Sequence, residues 1–112
     1  HGPTRQALER LLLRRNYRVR AAATAAEARA LGREETFALL ISDIGLPDGS
    51  GYDLMSEFGA RGVRGIALTG YGMEEDVSRS RRAGFGVHLT KPVRMEALDR
   101  ALASLLGEGS RV

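Results

Sequence analysis

Apolar residues along this chain recur in two patterns, one typical of helices and one typical of strands. In three segments they lie three or four positions apart, which places their side chains on one face of a helix. Thr4 stands where it can cap the first of these helices. The three stripes are Ala7, Leu8, Leu11 and Leu12; Tyr52, Leu54, Met55 and Phe58; and Met95, Leu98, Leu102 and Leu105.

Two further helices are predicted from the residues at their ends. Thr24 and Glu27 enclose the stretch TAAE, a capping box that opens a helix which Gly32 can close. The acidic run at 74–76 suits the positive N-terminal end of a fourth helix, and Gly84 is placed to end it. The chain therefore contains five predicted helices.

Four other segments carry strand patterns. In residues 17–21, Tyr17, Val19 and Ala21 alternate with two arginines, which predicts a short strand with one face in solvent. Segments 37–42 and 66–69 are continuous apolar runs, typical of strands buried on both faces, and 87–90 is the last strand. Strands that alternate with helices of this length predict an α/β fold with a doubly wound parallel sheet.

Polar residues come at the ends of three of these strands. Asp43 and Lys91 follow two of the strands directly, and Thr69 is the last residue of the third. The carboxyl ends of parallel strands share one edge of the sheet, so we expect a carboxylate, a hydroxyl and an ammonium to lie together there. Such a set suits phosphoryl transfer to a carboxylate, with a nucleophile, a hydrogen-bond donor and a fixed positive charge.

Each of these residues also has a simpler interpretation when it is taken alone. Asp43 could cap the loop that follows it, Thr69 could be a turn hydroxyl, and Lys91 could be a solvated surface charge. Asp48 beside Gly49 indicates turn chemistry. Lys91 is the single lysine among 17 basic residues, so a compact ammonium stands here where arginine serves everywhere else.

Composition narrows the possible functions. The chain of 112 residues is the size of one domain, and the absence of cysteine excludes disulfides, thiolate metal sites and cysteine nucleophiles. The net charge of +3 and a pI near 9.9 raise nucleic-acid binding as a possibility. Most basic residues are interspersed with acidic ones, and no recognition motif or stacking aromatic accompanies them, which does not favour that partner. No apolar run approaches 18 residues, so we expect a soluble, cytoplasmic protein.

Three motifs carry a resemblance to a known family. LLISDIGLPDGSGYDLM, IALTGYG and HLTKPV resemble the receiver domain of two-component response regulators, and the stretch from GYGMEEDV to TKPV is similar to receivers fused to hybrid sensor histidine kinases. The resemblance covers nearly the whole chain, which corresponds to a single receiver domain at 1–112. It implies a flavodoxin-like, three-layer fold.

The resemblance also implies roles for particular residues. Asp43 resembles the phosphoacceptor, which takes a phosphoryl group from a phosphohistidine on a kinase or phosphotransfer domain in a reaction that the receiver itself catalyses. Thr69 resembles the switch hydroxyl, and Lys91 resembles the lysine that pairs with the phosphoryl group. The bond between Lys91 and Pro92 is similar to the cis peptide of the family. Pro47, Gly51 and Gly70 match the residues that close the loop and keep the phosphoryl site open.

The sequence departs from the family in two places. His88 stands where the family has a tyrosine or phenylalanine that turns inward on activation, and its imidazole is smaller than either of those side chains. Family members also open with a buried strand that ends in two acidic Mg²⁺ ligands, whereas HGPTRQALERLLLRRNY resembles the segment directly after that pair. Asp43 and the Gly45 carbonyl would then be the remaining metal ligands, so we expect impaired Mg²⁺ binding here and a natural polypeptide that extends further N-terminally.

Two functions of different classes are consistent with these residues. The leading hypothesis is signalling by phosphoryl transfer, in which phosphorylated Asp43 draws Thr69 inward and changes affinity for a partner. The alternative is an interaction module that keeps the scaffold and works without phosphorylation. A homodimer is a further possibility, because a missing strand favours strand exchange between copies.

Overall fold

The computed structural model describes residues 2–70 and 74–107, with side chains described for 5–70 and 78–107. All five predicted helices form within these residues, but the first begins at Gly2, before its predicted cap Thr4, and the second continues past Gly32 to Glu34. They are α1 (Gly2–Arg14), α2 (Ala25–Glu34), α3 (Gly51–Gly59), α4 (Glu74–Ala83) and α5 (Met95–Leu106).

Three parallel strands form the central sheet of the described chain. They are β1 (Leu39–Asp43), β4 (Arg64–Thr69) and β5 (Val87–Thr90), in the order β1-β4-β5. Two short segments, β2 (Gly45–Leu46) and β3 (Gly49–Ser50), pair antiparallel and form a small hairpin directly after β1. This hairpin carries no strand pattern in the sequence and was not predicted.

Helices cover both faces of the sheet, which confirms the three-layer α/β architecture. In β4, Ile66 and Leu68 point to one face and Ala67 points to the other, as the two-residue period of a strand requires. The first face packs against α1 and α5 through Leu8, Leu12, Leu98 and Leu102, and the second packs against α3 through Leu54, Met55 and Phe58.

The strand predicted at residues 17–21 is absent from the structure. This segment keeps the predicted alternation, with Tyr17 and Val19 half-buried and Arg18 and Arg20 exposed, but it pairs with no strand among the described residues. A strand pattern produces a strand only where a neighbour supplies the hydrogen-bonding edge. In the described chain β1 is the edge of the sheet, and no described strand lies between β1 and residues 17–21.

A cavity of about 320 Å³ occupies the space between β1 and residues 17–24. Apolar side chains from both layers line it, including Leu12, Val19, Leu39, Ile41 and Leu54. The expectation that the 37–42 run would be buried on both faces is therefore wrong for this structure. Leu39, Leu40 and Ile41 are only half-buried, because one flank of their strand opens into the cavity.

Ion pairs tie the helices together at the surface. Arg15 at the end of α1 holds Asp99 of α5 with two hydrogen bonds of 2.6 and 2.9 Å. Arg29 of α2 holds Glu57 of α3 in the same way, and this contact keeps the pKa of Glu57 below its ordinary value. Several basic groups thus serve contacts within the fold.

Candidate functional site

The three polar residues predicted at the strand ends do lie at one edge of the sheet. Asp43 ends β1 and stands opposite Leu68, while Thr69 ends β4 opposite Thr90, the residue before Lys91. All three strands run parallel, so their carboxyl ends coincide. The register brings Asp43, Thr69 and Lys91 together from separate parts of the sequence.

Asp43 and Lys91 form an ion pair between Oδ1 and Nζ. They extend from the two strands that flank β4, so their side chains meet over the end of that central strand. Both side chains are mostly buried, with 22% of Asp43 and 28% of Lys91 exposed. A carboxylate that is partly shielded from water, paired with a cation and still reachable from solvent suits a nucleophile that must receive an anionic group.

The backbone fixes Lys91 relative to Thr69. The Lys91 N–H donates to the Thr69 carbonyl at 2.7 Å, and the peptide bond from Lys91 to Pro92 is cis, as the resemblance implied. Thr69 is half-buried at the end of β4. This hydrogen bond therefore holds the backbone of Lys91 next to that of Thr69, beside the Asp43 carboxylate.

Glycine residues keep the surroundings of Asp43 open. A Cβ built at Gly51 would overlap the carbonyl oxygen of Asp43, so a residue with a side chain would have to displace the backbone there. A Cβ at Gly45 or Gly70 would meet no atom within 4 Å, which leaves free space beside the strand ends. The match of Gly51 to its family position thus has a steric basis in this chain.

The hairpin formed by β2 and β3 carries Gly45, and its tip contacts α2. Asp48 at the tip accepts hydrogen bonds from the N–H groups of Ala25 at 2.8 Å and Ala26 at 3.0 Å. These bonds, the first of them above all, hold the pKa of Asp48 below its ordinary value of 3.8. The sequence indicated only a turn at Asp48, because nothing in a local pattern shows that a turn will meet a distant helix.

His88 lies on β5 opposite Ala67 and is half-buried. Its Nε2 atom is buried and has no hydrogen-bond partner among the residues that the structure describes. The position predicted for the switch residue is thus occupied by an imidazole inside the fold, next to the strand that ends in Thr69.

The described residues do not by themselves fit a Mg²⁺ site. Mg²⁺ requires near-octahedral oxygen coordination. Within the described parts of the chain, no group of three His, Asp or Glu side chains could hold a metal ion, and the Asp43 carboxylate faces an ammonium group. Asp43 and the Gly45 carbonyl, the two ligands predicted from the sequence, supply too few donors.

Comparison with known proteins identifies the family. The sequence profile of the response regulator receiver domain matches residues 1–103. The response regulator protein PilR of Pseudomonas aeruginosa is 36% identical over 104 residues, which are 91% of this chain and 23% of PilR. An uncharacterized 14.6 kDa protein of Leptolyngbya boryana is 38% identical over 79 residues, 67% of this chain and 60% of that protein. The chain thus spans less than two thirds of either relative.

The fold is shared with solved receiver structures. The receiver domain of the sensor histidine kinase PA1611 from Pseudomonas aeruginosa, with a magnesium ion coordinated in its active site cleft, has a TM-score of 0.84 and 27% identity. The similarity covers 96% of this chain and 92% of that one. This chain belongs to the response regulator receiver domain family of two-component signalling. Among the described residues, no helix is long and apolar enough to cross a bilayer.

Proposed function

We propose that this receiver domain accepts a phosphoryl group on Asp43 from a phosphohistidine of a histidine kinase or a histidine phosphotransfer domain. An oxygen of the Asp43 carboxylate attacks phosphorus, an acyl phosphate bond forms, and the bond from phosphorus to the histidine nitrogen breaks. The electron pair of that bond stays on the imidazole. The observation that carries the proposal is the ion pair of Asp43 with Lys91 at the shared strand ends.

Lys91 has two tasks in this proposal. Before the reaction its ammonium neutralises the carboxylate, which lowers the repulsion that an incoming phosphoryl group meets. After the reaction Asp43 has lost its charge, and the same ammonium pairs with a phosphoryl oxygen. Lysine suits this exchange of partners, because its charge is compact and its stem is flexible.

Thr69 and His88 transmit the change in the proposed mechanism. The new phosphoryl oxygens are strong acceptors, and the Thr69 hydroxyl moves to donate to one of them. That movement shifts the balance between two conformations of the surface around β5 and α5, where His88 takes the place of the usual switch aromatic. We propose that this surface reads out phosphorylation to a partner protein.

The proposal also includes Mg²⁺ binding and a further strand beside β1. Receiver domains bind Mg²⁺, and we propose that this one does so with acidic donors carried by a further strand that the described residues do not include, beside Asp43 and the Gly45 carbonyl. The half-buried flank of β1 and the apolar cavity beside it support this view, because a strand placed there would cover Leu39 and Ile41.

A second function is favoured by one observation. The described residues lack the donors of a Mg²⁺ site, so a phosphorylation-independent interaction module on the receiver scaffold is the competing proposal. The test uses protein with its natural N-terminus, incubated with magnesium chloride and acetyl phosphate. Mass spectrometry should find a phosphoryl adduct that Asp43→Asn abolishes. An unmodified protein, or an adduct that survives Asp43→Asn, would favour the interaction module.

The proposal also covers the proteins that supply the phosphoryl group. The similarity to the receiver of sensor histidine kinase PA1611 supports a receiver joined to a hybrid kinase. A place in a cytoplasmic phosphorelay belongs to the same proposal. Transfer from a purified phosphorylated histidine phosphotransfer domain that outpaces acetyl phosphate would support this context. If the protein accepts a phosphoryl group from acetyl phosphate alone, the proposed phosphorylation of Asp43 would stand and the proposed phosphorelay would be wrong.

A further inference from the structure

The hairpin after β1 is too small to hold its own position. It contains two residue pairs, Gly45 with Ser50 and Leu46 with Gly49, and an isolated hairpin of that size is unstable in water. Backbone hydrogen bonds fix its base, from Ile44 N–H to the Leu68 carbonyl at 3.3 Å and from Gly51 N–H to the Ile44 carbonyl at 2.7 Å. These bonds and the packing of Leu46 against the core leave the tip at Asp48 to be held by something else.

Asp48 supplies that second attachment. Its two carboxylate oxygens each accept one N–H from the first turn of α2, from Ala25 and from Ala26. A helix N-terminus carries unsatisfied donors and a partial positive charge, so a carboxylate makes charge-assisted bonds there. The tip of the hairpin is thereby tied to a helix that belongs to a different part of the sequence.

The helix already has its own cap, so Asp48 is not needed for that purpose alone. The Thr24 side chain accepts from Glu27 N–H at 3.1 Å, and the Glu27 carboxylate accepts from Ala23 N–H at 2.7 Å. The first contact is half of the predicted capping box, whereas in the second Glu27 reaches the N–H of the residue before the cap instead of that of Thr24. Asp48 adds bonds from outside the helix, and these are the bonds that connect two elements.

The geometry points to Asp48 as a positioning residue for the phosphoacceptor loop. By clamping the hairpin tip to α2, it fixes the backbone that runs from Asp43 through Gly45 and returns to Gly51 beside the Asp43 carbonyl. Loss of the clamp would free the hairpin to move about its base and would misplace the backbone next to the nucleophile. This inference rests on the proposed phosphorylation of Asp43.

Thr24→Ala provides a matched control for Asp48→Ala. Both substitutions remove hydrogen bonds from the N-terminus of α2, but only the second one releases the hairpin. Protein with its natural N-terminus is incubated with acetyl phosphate and magnesium chloride, and the rate of phosphoryl adduct formation is followed by mass spectrometry. Amide hydrogen exchange of the hairpin and of Ala25 and Ala26 is measured in parallel.

We expect Asp48→Ala to slow adduct formation about tenfold or more, since small displacements near a reacting group are costly. Hairpin amides in this variant should exchange about tenfold faster, whereas Thr24→Ala should speed exchange only in α2 and leave the rate within about twofold. Asp48→Asn keeps one acceptor oxygen and should fall between Asp48→Ala and the unsubstituted protein in both measurements.

The outcomes separate this inference from the function on which it rests. If the unsubstituted protein forms an adduct and Asp48→Ala reacts like Thr24→Ala, the positioning role is wrong. If the unsubstituted protein forms no adduct, the proposed function fails and takes the catalytic part of the inference with it. Hydrogen exchange then decides the clamp by itself: unchanged exchange in the hairpin of Asp48→Ala would refute it.

Discussion

Asp43 and Lys91 project from the two outer strands of the described sheet and pair over the end of the strand between them. Neither residue could reach the other if β4 were longer by a few residues or if the strands ran in opposite directions. Parallel strands that end at the same edge of the sheet therefore bring the two residues together, and their ion pair supports the phosphoryl transfer proposed for this site.

Lys91→Met tests the charge in this pair. We expect phosphoryl adduct formation to slow about 100-fold, because the variant lacks the cation that stabilises the incoming and transferred group. The free energy of unfolding should fall by about 1–3 kcal/mol, since the variant leaves a mostly buried carboxylate without the cation that pairs with it.

Lys91→Arg is the control for that prediction. It keeps the positive charge but replaces a flexible point charge with a planar fork, so its rate should fall between those of Lys91→Met and the unsubstituted protein. Equal rates for Lys91→Met and the unsubstituted protein would show that the ammonium plays no part in the transfer.

Gly51→Ala tests the close approach of the first residue of α3 to the end of β1. The added methyl group would overlap the Asp43 carbonyl oxygen, and we expect a loss of about 1–3 kcal/mol in the free energy of unfolding together with slower phosphorylation. Denaturant titration measures the first effect and mass spectrometry measures the second.

Gly49→Ala, two residues earlier in β3, serves as the matched substitution. A Cβ at Gly49 meets no atom within 4 Å, so both stability and rate should stay close to those of the unsubstituted protein. A Gly51→Ala protein as stable and active as Gly49→Ala would contradict the steric explanation.

Alanine substitutions at Ile41 and Ile66 compare the loss of stability in a strand that borders the cavity with the loss in a covered strand. Ile66→Ala should lower the free energy of unfolding by about 2–5 kcal/mol because its side chain is fully buried, whereas Ile41→Ala should cost about half as much because the side chain is half-buried beside the cavity. Chemical denaturation of the two variants checks this difference.

The same pair of variants tests whether a strand covers β1 in a longer polypeptide. In a polypeptide that includes such a strand, the cost of Ile41→Ala should rise toward that of Ile66→Ala. A cost for Ile41→Ala that is the same in the longer polypeptide would show that no added strand fills the cavity.

The pKa of Asp48 predicts a dependence of stability on pH. Hydrogen bonds from α2 lower the pKa of this carboxyl in the folded protein, so the folded state favours the ionised form. Its contribution to stability is therefore complete above the unfolded pKa, near the ordinary value of 3.8, and is lost as the pH falls through the lower folded pKa.

The stability difference between the unsubstituted protein and Asp48→Asn should accordingly shrink as the pH is lowered from about 6 to about 3. Denaturant unfolding at several pH values measures this difference. Asp53→Asn, on the neighbouring helix, corrects for the general effect of removing a carboxylate. A difference that widened toward low pH would contradict the role assigned to the two amide donors.

The strand ends could be predicted from the sequence because local signals determine them. Continuous apolar runs locate β1 and β4, and each run stops at a polar residue. The parallel topology then brings these polar residues to one edge of the sheet. The strand expected at residues 17–21 failed for the opposite reason: its alternation is correct, but pairing depends on a neighbour that no local pattern reveals. The clamp from Asp48 to α2 escaped prediction in the same way, because it joins two segments whose proximity only the folded chain defines.

The flank of β1 that no described strand covers also bears on association between copies of this chain. Backbone amide and carbonyl groups on a flat, apolar strand edge are a template for the corresponding edge of another molecule. We therefore predict that copies of this chain associate edge to edge as the protein concentration rises, which analytical ultracentrifugation would measure. A lysine or proline introduced along that flank would serve as a guard against such association.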